Sequence, residues 1–236
     1  MPDVLLALET SSPVCGVALT RLPTAEVVAQ AELRIDKSHA SHLLPLVEQV
    51  LRLSGNSLAD VAAVALSAGP GSYTGLRIGA ATAKGLCAAL GVPLVAVSTL
   101  RVLACQTAAA VPDAATYRFC PLIDARRQEA FSGLFTAAGE ELRPEAPVIL
   151  TPEWLTDLLA GGPVVFSGSG AAKCRELLGS AEGAHYVPAV RVPAVATLAE
   201  LAALSHRGGL FEDVAYYEPS YGKEVYVTVP KAAPAL

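Results

Sequence analysis

Blocks of apolar residues, separated by short polar stretches, set the plan of the chain. The run "VLLALE" at residues 4–9 predicts a buried strand closed by an acid, "TSSP" a turn, and "VCGVALT" a second strand that "EVVAQAELRI" continues as a meander. Over residues 38–53 the spacing changes. Leu43, Leu46, Val47, Val50, Leu51 and Leu53 fall at helical intervals and give a wide apolar face. Pro45 suits this helix if it begins near Ser41; an earlier start puts the proline inside, where it kinks the helix. After the loop "SGNSLAD" come the buried strand "VAAVALS", a helix over 74–90 stopped by Gly91, the buried strand "PLVAVS" and a helix over 99–110.

"VPDAAT" reads as a linker, and beyond it the pattern begins again. "RFCPLID" is a strand ending in an acid, "ARRQ" a turn and "EAFSGLFT" a returning strand, in the same order as "VLLALE", "TSSP", "VCGVALT". Glu9 and Asp124 close the two leading strands, so the halves form a faint internal repeat. Thr151, Pro152 and Glu153 make a helix start. "PVVFSGSG" is a strand and a glycine loop, and a last helix over 194–206 stops at Gly208 and Gly209. Alternating strands and helices predict an α/β fold in two lobes. The divisions are 1–110, a smaller lobe over 111–210, and a tail over 211–236 that can pack back on the body, its end expected to be disordered.

The stretch "SAGPGSYTGLRIG" at residues 67–79 poses the central question, whether it cradles a phosphate or lets structure approach a helix closely. It lacks the lysine of a P-loop. Gly69, Gly71 and Gly75 are spaced one residue too long for a dinucleotide fingerprint. A strand–glycine–helix geometry still offers backbone N–H groups to an anion. Gly75, Gly79 and Gly85 lie in the following helix, at about 1 kcal/mol each relative to alanine. Gly75, Gly79 and Ala83 form a stripe of small residues against which another helix can pack closely, from the same chain or from a second one.

Composition narrows the function. The chain has 236 residues, 53% hydrophobic and 17% charged, with a net charge of −5. Its longest basic run is Arg126–Arg127, a poor basis for holding nucleic acid alone. Cys15, Cys87, Cys105, Cys120 and Cys174 are odd in number and scattered, which argues against a disulfide framework or a zinc site and for buried thiols in a reducing cytosol. The start lacks a basic leader, and no apolar run is long enough to span a membrane. His39 and His42 share a helix face without a third ligand, so a solvated or capping pair is expected rather than a metal site. Glu9 and Asp124 either face a cleft and hold a metal through water, or each caps its own turn. Thr10, Ser11 and Ser12 are able to contact phosphate. No G-x-S-x-G elbow occurs, which leaves a hydrolase little support.

The segments "LLALETSS", "SHASHLLPLVEQVL", "LSAGPGSYTGLRIGAATAKGLCAALGVPLVAVSTL" and "PLIDARRQEAF" resemble the bacterial TsaB family, also called YeaZ, with looser matches at "FSGSG" and "YEPSYGK". The resemblance implies the actin/Hsp70/sugar-kinase (ASKHA) architecture, two lobes of mixed sheet flanked by helices, the second reduced. It implies a cytoplasmic, non-catalytic subunit of the machinery that makes threonylcarbamoyladenosine beside the anticodon of tRNAs reading codons that begin with A. The implied partners are a TsaD-like catalytic paralogue and a TsaE-like ATPase, with possible self-pairing, tRNA reached only through the complex, and no cofactor or metal of its own. Family members pair through helices of the first lobe, which places the expected interface at Leu43, Leu46, Val47, Val50, Gly75, Leu76, Gly79 and Ala83. On that expectation Gly79→Arg blocks pairing and spares the fold. The alternatives are an ATP-dependent phosphotransferase, with Asp124 as base or metal carboxylate and Thr10, Ser11 and Ser12 at phosphate, and more weakly a peptidase using Ser72.

Overall fold

The first three strands, β1 (Val4–Glu9), β2 (Cys15–Arg21) and β3 (Glu26–Leu33), form the expected antiparallel meander in a computed structural model that describes residues 3–35 and 37–222. Helix α1 (His39–Leu53) leads to β4 (Val61–Ser67), which runs parallel to β1. Helix α2 (Tyr73–Leu90), strand β5 (Leu94–Val97) and helix α3 (Thr99–Ala109) complete this half. The sheet order is β3-β2-β1-β4-β5.

The second half repeats the plan with β6 (Arg118–Asp124), β7 (Glu129–Phe135), β8 (Glu141–Ile149), α4 (Pro152–Leu159), β9 (Val164–Ser167), α5 (Ala171–Leu178) and β10 (Ala184–Tyr186). Its order is β8-β7-β6-β9-β10, the same sequence of roles. The repeat that was faint in the residues is therefore complete in the topology, and the fold is the two-lobed ASKHA architecture. The second lobe is reduced: α4 and α5 have 8 residues each, against 15 in α1 and 18 in α2.

All of β1 is buried because its sheet is covered on both faces. Val4, Leu6 and Leu8 point to one side and pack with Leu43, Leu46, Val47 and Val50 of α1. Leu5 and Ala7 point to the other and meet a last helix, α6 (Val195–Arg207), through Val195, Leu198, Ala199 and Ala202. Helix α6 thus follows the second lobe in sequence but packs on the first sheet. The facing positions Ala7, Ala18, Ala63 and Ala65 are small, so this helix can lie close. Helix α3 joins the lobes: Leu100, Ala104 and Ala108 pack with Phe119, Phe135 and Val165, and Thr107 Oγ1 donates to Ser167 Oγ at 2.7 Å.

Side chains cap the starts of α2 and α4. Ser72 Oγ accepts from Gly75 N at 3.2 Å, and Thr151 Oγ1 from Trp154 N at 3.2 Å. Helix α2 ends at Gly91 with φ 68°, where a left-handed residue is needed. Helix α1 begins at His39, two residues before Ser41, so Pro45 lies inside a continuous helix.

Strand β8 has no sequence signal. It is an edge strand, mostly exposed, and carries Pro144 and Pro147, which a sheet tolerates at its edge. Beyond α6, Glu212 N donates to Leu94 O at 2.9 Å, and Ser220 N to Ala68 O at 2.7 Å. Lys84 Nζ of α2 holds the tail carbonyls of Ala215 and Tyr217 at 3.1 and 3.2 Å. The expected disorder of the chain end concerns residues 223–236, outside the described residues. No helix among the described residues is long and apolar enough to cross a membrane.

Candidate functional site

A cleft of about 860 Å³ lies between the lobes. Ser11 and Ser12 of the β1–β2 turn and Ser72, Thr74 and Gly75 at the start of α2 line one wall, and Ile123, Asp124, Phe131 and Ser169 line the other. Lys37, His39 and Arg191 contribute the basic groups.

Glu9 does not line this cleft. It is fully buried beneath its own turn. Its Oε1 accepts from Ser11 N at 2.7 Å and Ser11 Oγ at 2.6 Å, and its Oε2 from Ser67 Oγ. Burial pushes the Glu9 carboxyl up to about 7, against the opposing pull of the hydrogen bonds from Ser11 and Ser67. Ser67 was not legible as a partner. It faces Glu9 because β1 and β4 run parallel with Leu8 beside Leu66, a register that exists only once the sheet forms.

Asp124 does line the cleft, with a different set of contacts. Its Oδ1 accepts from Arg126 N at 2.8 Å and from Lys173 Nζ, which also donates to the Glu129 carbonyl. Partial burial raises the Asp124 carboxyl, but the hydrogen bonds from Lys173 and Arg126 and the Lys173 charge outweigh it and hold the group below its ordinary range. Both acids therefore bond the backbone N–H two residues on, so each closes its own turn, and the two do not face each other across a metal site. Among the described residues no group of three or more His, Cys, Asp or Glu is arranged to hold a metal ion. Lys173 gave no sequence signal, since only Ala171 and Cys174 of its helix are buried and no apolar stripe marks the element.

Gly71, Gly75 and Gly79 serve the β1–β2 turn, whereas Gly69, with a positive φ, abuts the Ser220 carbonyl of the tail. A Cβ at Gly75 would overlap the Thr10 carbonyl oxygen, one at Gly79 the Thr10 hydroxyl, and one at Gly71 the Ser11 carbonyl. Ser72 N donates to that Ser11 carbonyl at 2.7 Å. The groove predicted by the small-residue stripe exists, and it is filled from within the lobe by a turn rather than by a helix. The eight residues named for the interface have the same orientation. Leu43, Leu46, Val47 and Val50, like Gly75, Leu76, Gly79 and Ala83, are all buried in the single chain. The expected effect of Gly79→Arg is corrected accordingly, because an arginine there displaces the buried Thr10 side chain and the fold is not spared.

Thr10 is buried in that groove, while Ser11 and Ser12 reach the cleft wall. His39 Nε2 lies 3.3 Å from the Val14 carbonyl, and His42 Nδ1 2.7 Å from Ser41 Oγ and 3.2 Å from the Ser38 carbonyl; neither ring caps a helix N–H, so the buried His39 ties α1 to the start of β2 and His42 stays on the exposed side. Ser72 Oγ caps α2. All five cysteines are free. Burial pushes the Cys15 and Cys87 thiols up to about 11 and Cys120 up to about 12.

The chain is similar to known proteins. The family model described as TsaD, tRNA N6-adenosine threonylcarbamoyltransferase, matches residues 27–221. The tRNA threonylcarbamoyladenosine biosynthesis protein TsaB of Bacillus subtilis is 32% identical over 178 residues, 74% of each chain. The Escherichia coli protein of the same name is 42% identical over 100 residues, 42% of each chain. The solved structure of YeaZ from Pseudomonas aeruginosa superposes with a TM-score of 0.77 at 29% identity, covering 95% of this chain and all of the other (100%).

Proposed function

Since the chain belongs to the TsaB (YeaZ) family, we propose that it is a non-catalytic subunit in tRNA threonylcarbamoyladenosine biosynthesis, pairing with a TsaD-like catalytic paralogue. A TsaE-like ATPase joins the pair in the cytoplasm, tRNA is reached through the complex, and self-pairing uses the same surface. The observation that carries this reading is the state of the two repeated acids. One is sealed under its turn, and the other is engaged by a lysine. A phosphoryl-transfer site needs carboxylates free to hold Mg²⁺ and to orient a nucleophile.

Pairing then falls to the outward sides of α1 and α2, because their inward sides are occupied. Leu44 and Leu53 are 57% and 70% exposed on α1, and Tyr73 is 47% exposed at the start of α2. A stable pair buries about 1,200–2,000 Å² in total, for which these side chains supply an apolar centre.

The test measures modified tRNA by mass spectrometry in cells whose own copy of the gene is replaced. Asp124→Asn is expected to sustain modification. The double variant Leu44→Glu, Leu53→Glu is expected to lose it and to stop co-purifying with the paralogue. Full modification with the double variant refutes the docking face.

A phosphotransferase remains the second reading, because Ser11, Ser12, Thr74 and Asp124 converge on one cleft. Calorimetry of the isolated chain with Mg-ATP separates the two. Micromolar binding with turnover that Asp124→Asn abolishes favours the kinase.

A further inference from the structure

A second pocket, of about 420 Å³, opens beside the point where the tail returns to the body. It shares Phe131 with the cleft but is otherwise built from different residues, among them Leu100, Glu145, Pro147 and Tyr221. Its volume lies within the range of small-ligand sites, about 300–1,000 Å³.

Glu145 is the one ionisable side chain lining it apart from the Tyr221 phenol. The carboxylate accepts from Ser98 Oγ, whose other contacts are with Leu100 N and Arg101 N at the start of α3. Burial and the nearby Glu141 charge raise its pKa, against the Ser98 hydrogen bond. No lysine, arginine or histidine among the described residues forms an ion pair with it. Arg143, on the same strand, is 3.0 Å from Asp157 instead. A largely buried carboxylate without a cation is costly, and a cation that enters the pocket recovers part of that cost.

The walls suit the same chemistry. Phe131 and Tyr221 present aromatic rings, and the Tyr221 ring lies 4.8 Å from that of Tyr73. This aromatic pair already holds one cation, for the Arg77 guanidinium sits 5.5 Å over the Tyr73 ring. The Tyr221 side of the pair lines the pocket together with Glu145.

We propose that this pocket binds an alkylammonium or guanidinium group, with the Glu145 carboxylate as counter-ion and Phe131 and Tyr221 as its aromatic walls. None of Leu44, Leu53 or Tyr73 lines the pocket, which adjoins the proposed pairing face only through the contact of Tyr221 with Tyr73.

The experiment titrates the full-length, isotope-labelled chain with n-butylammonium chloride, and in parallel with n-butanol, its neutral counterpart. Saturable NMR shifts at Glu145, Ala146 and Tyr221 are expected with the ammonium and not with the alcohol. Glu145→Gln, which keeps an acceptor for Ser98, is expected to weaken ammonium binding at least about tenfold. Phe131→Leu is expected to weaken it about threefold. Equal binding of alcohol and ammonium, or no saturable shift, overturns the proposal without recourse to a variant. Carbodiimide coupling in the complex purified from cells separates the sources. A link from Glu145 to a lysine of a co-purifying chain identifies a protein side chain, and coupling only to added amine identifies a small-molecule ligand. Failure of Glu145 to couple to either also overturns it.

Discussion

At the scale of the residue, the glycines of α2 divide by what surrounds them. Gly75 abuts a backbone carbonyl that cannot move without taking β1 with it, whereas Gly85 is exposed with nothing near a would-be Cβ. Gly75→Ala is therefore expected to cost about 2–4 kcal/mol, and Gly85→Ala to gain about 0.5–1 kcal/mol from helix propensity. Thermal unfolding followed by circular dichroism checks the opposite signs; equal shifts contradict the packing account. Nothing in the structure explains why Gly85 is glycine. Glu9 makes a second prediction. Its carboxyl is raised from an ordinary 4.5 to about 7, so the folded state keeps a proton that the unfolded chain gives up. The resulting stability is fully present below pH 4.5 and is lost as pH rises through 7, a change of about 3 kcal/mol. Urea unfolding at pH 5 and pH 8 is expected to find Glu9→Gln close to the parent at the lower pH and more stable at the higher. A parent protein with no such pH-dependent difference from the variant rules out the buried acid as the cause. The residues flanking these acids could be read from the chain, but Ser67 and Lys173 could not, since their partners lie 58 and 49 positions away.

At the scale of the element, α1 shows how a periodic pattern is read and where it stops. The apolar spacing located the helix and its buried residues Leu43, Leu46, Val47, Val50 and Leu51, but it also counted Leu53, which faces outward. It could not say that Leu44 and Leu53, equally apolar, face outward, because a stripe fixes a direction only after the sheet beneath it is in place. Leu44→Glu is expected to leave the melting temperature of the isolated chain within about 2 °C, as exposed substitutions usually do. Leu46→Glu, on the buried side of the same helix, is expected to prevent stable folding. Circular dichroism melts of both variants compare the sides directly. If they lose stability equally, Leu46 does not face the sheet and Leu44 the solvent. The same limit explains β8 and α5. An edge strand with two prolines and a short helix with two buried residues have no strong period to detect.

At the scale of the whole molecule, the chain order and the packing order differ. Residues 1–110 contain the complete first sheet, yet the face of Leu5, Ala7, Ala18 and Val95 is covered by α6, more than eighty residues further on. A fragment ending at residue 110 is expected to expose that face and to lack a cooperative unfolding transition. Adding back a peptide spanning α6 should restore one; a fragment that melts cooperatively alone refutes the dependence. The full chain is expected to unfold in a single step, because α3 packs with the first sheet and α6 through Val102 and with the second sheet through Leu100 and Ala104, and Thr107 of α3 bonds Ser167 of the second sheet.

Local order in this protein is written in the sequence. Runs of apolar residues, proline and glycine punctuation and the cap at Thr151 act over a few positions, and the internal repeat and the strands and helices other than β8, α5 and β10 follow from them. What the tertiary structure alone decided is which distant residue each buried side meets. The small-residue stripe of α2 receives Thr10, Glu9 is closed off by Ser67, and Asp124 is engaged by Lys173. These contacts join positions far apart in the chain and depend on sheet register. No local pattern records them, because burial is a property of the assembled surfaces.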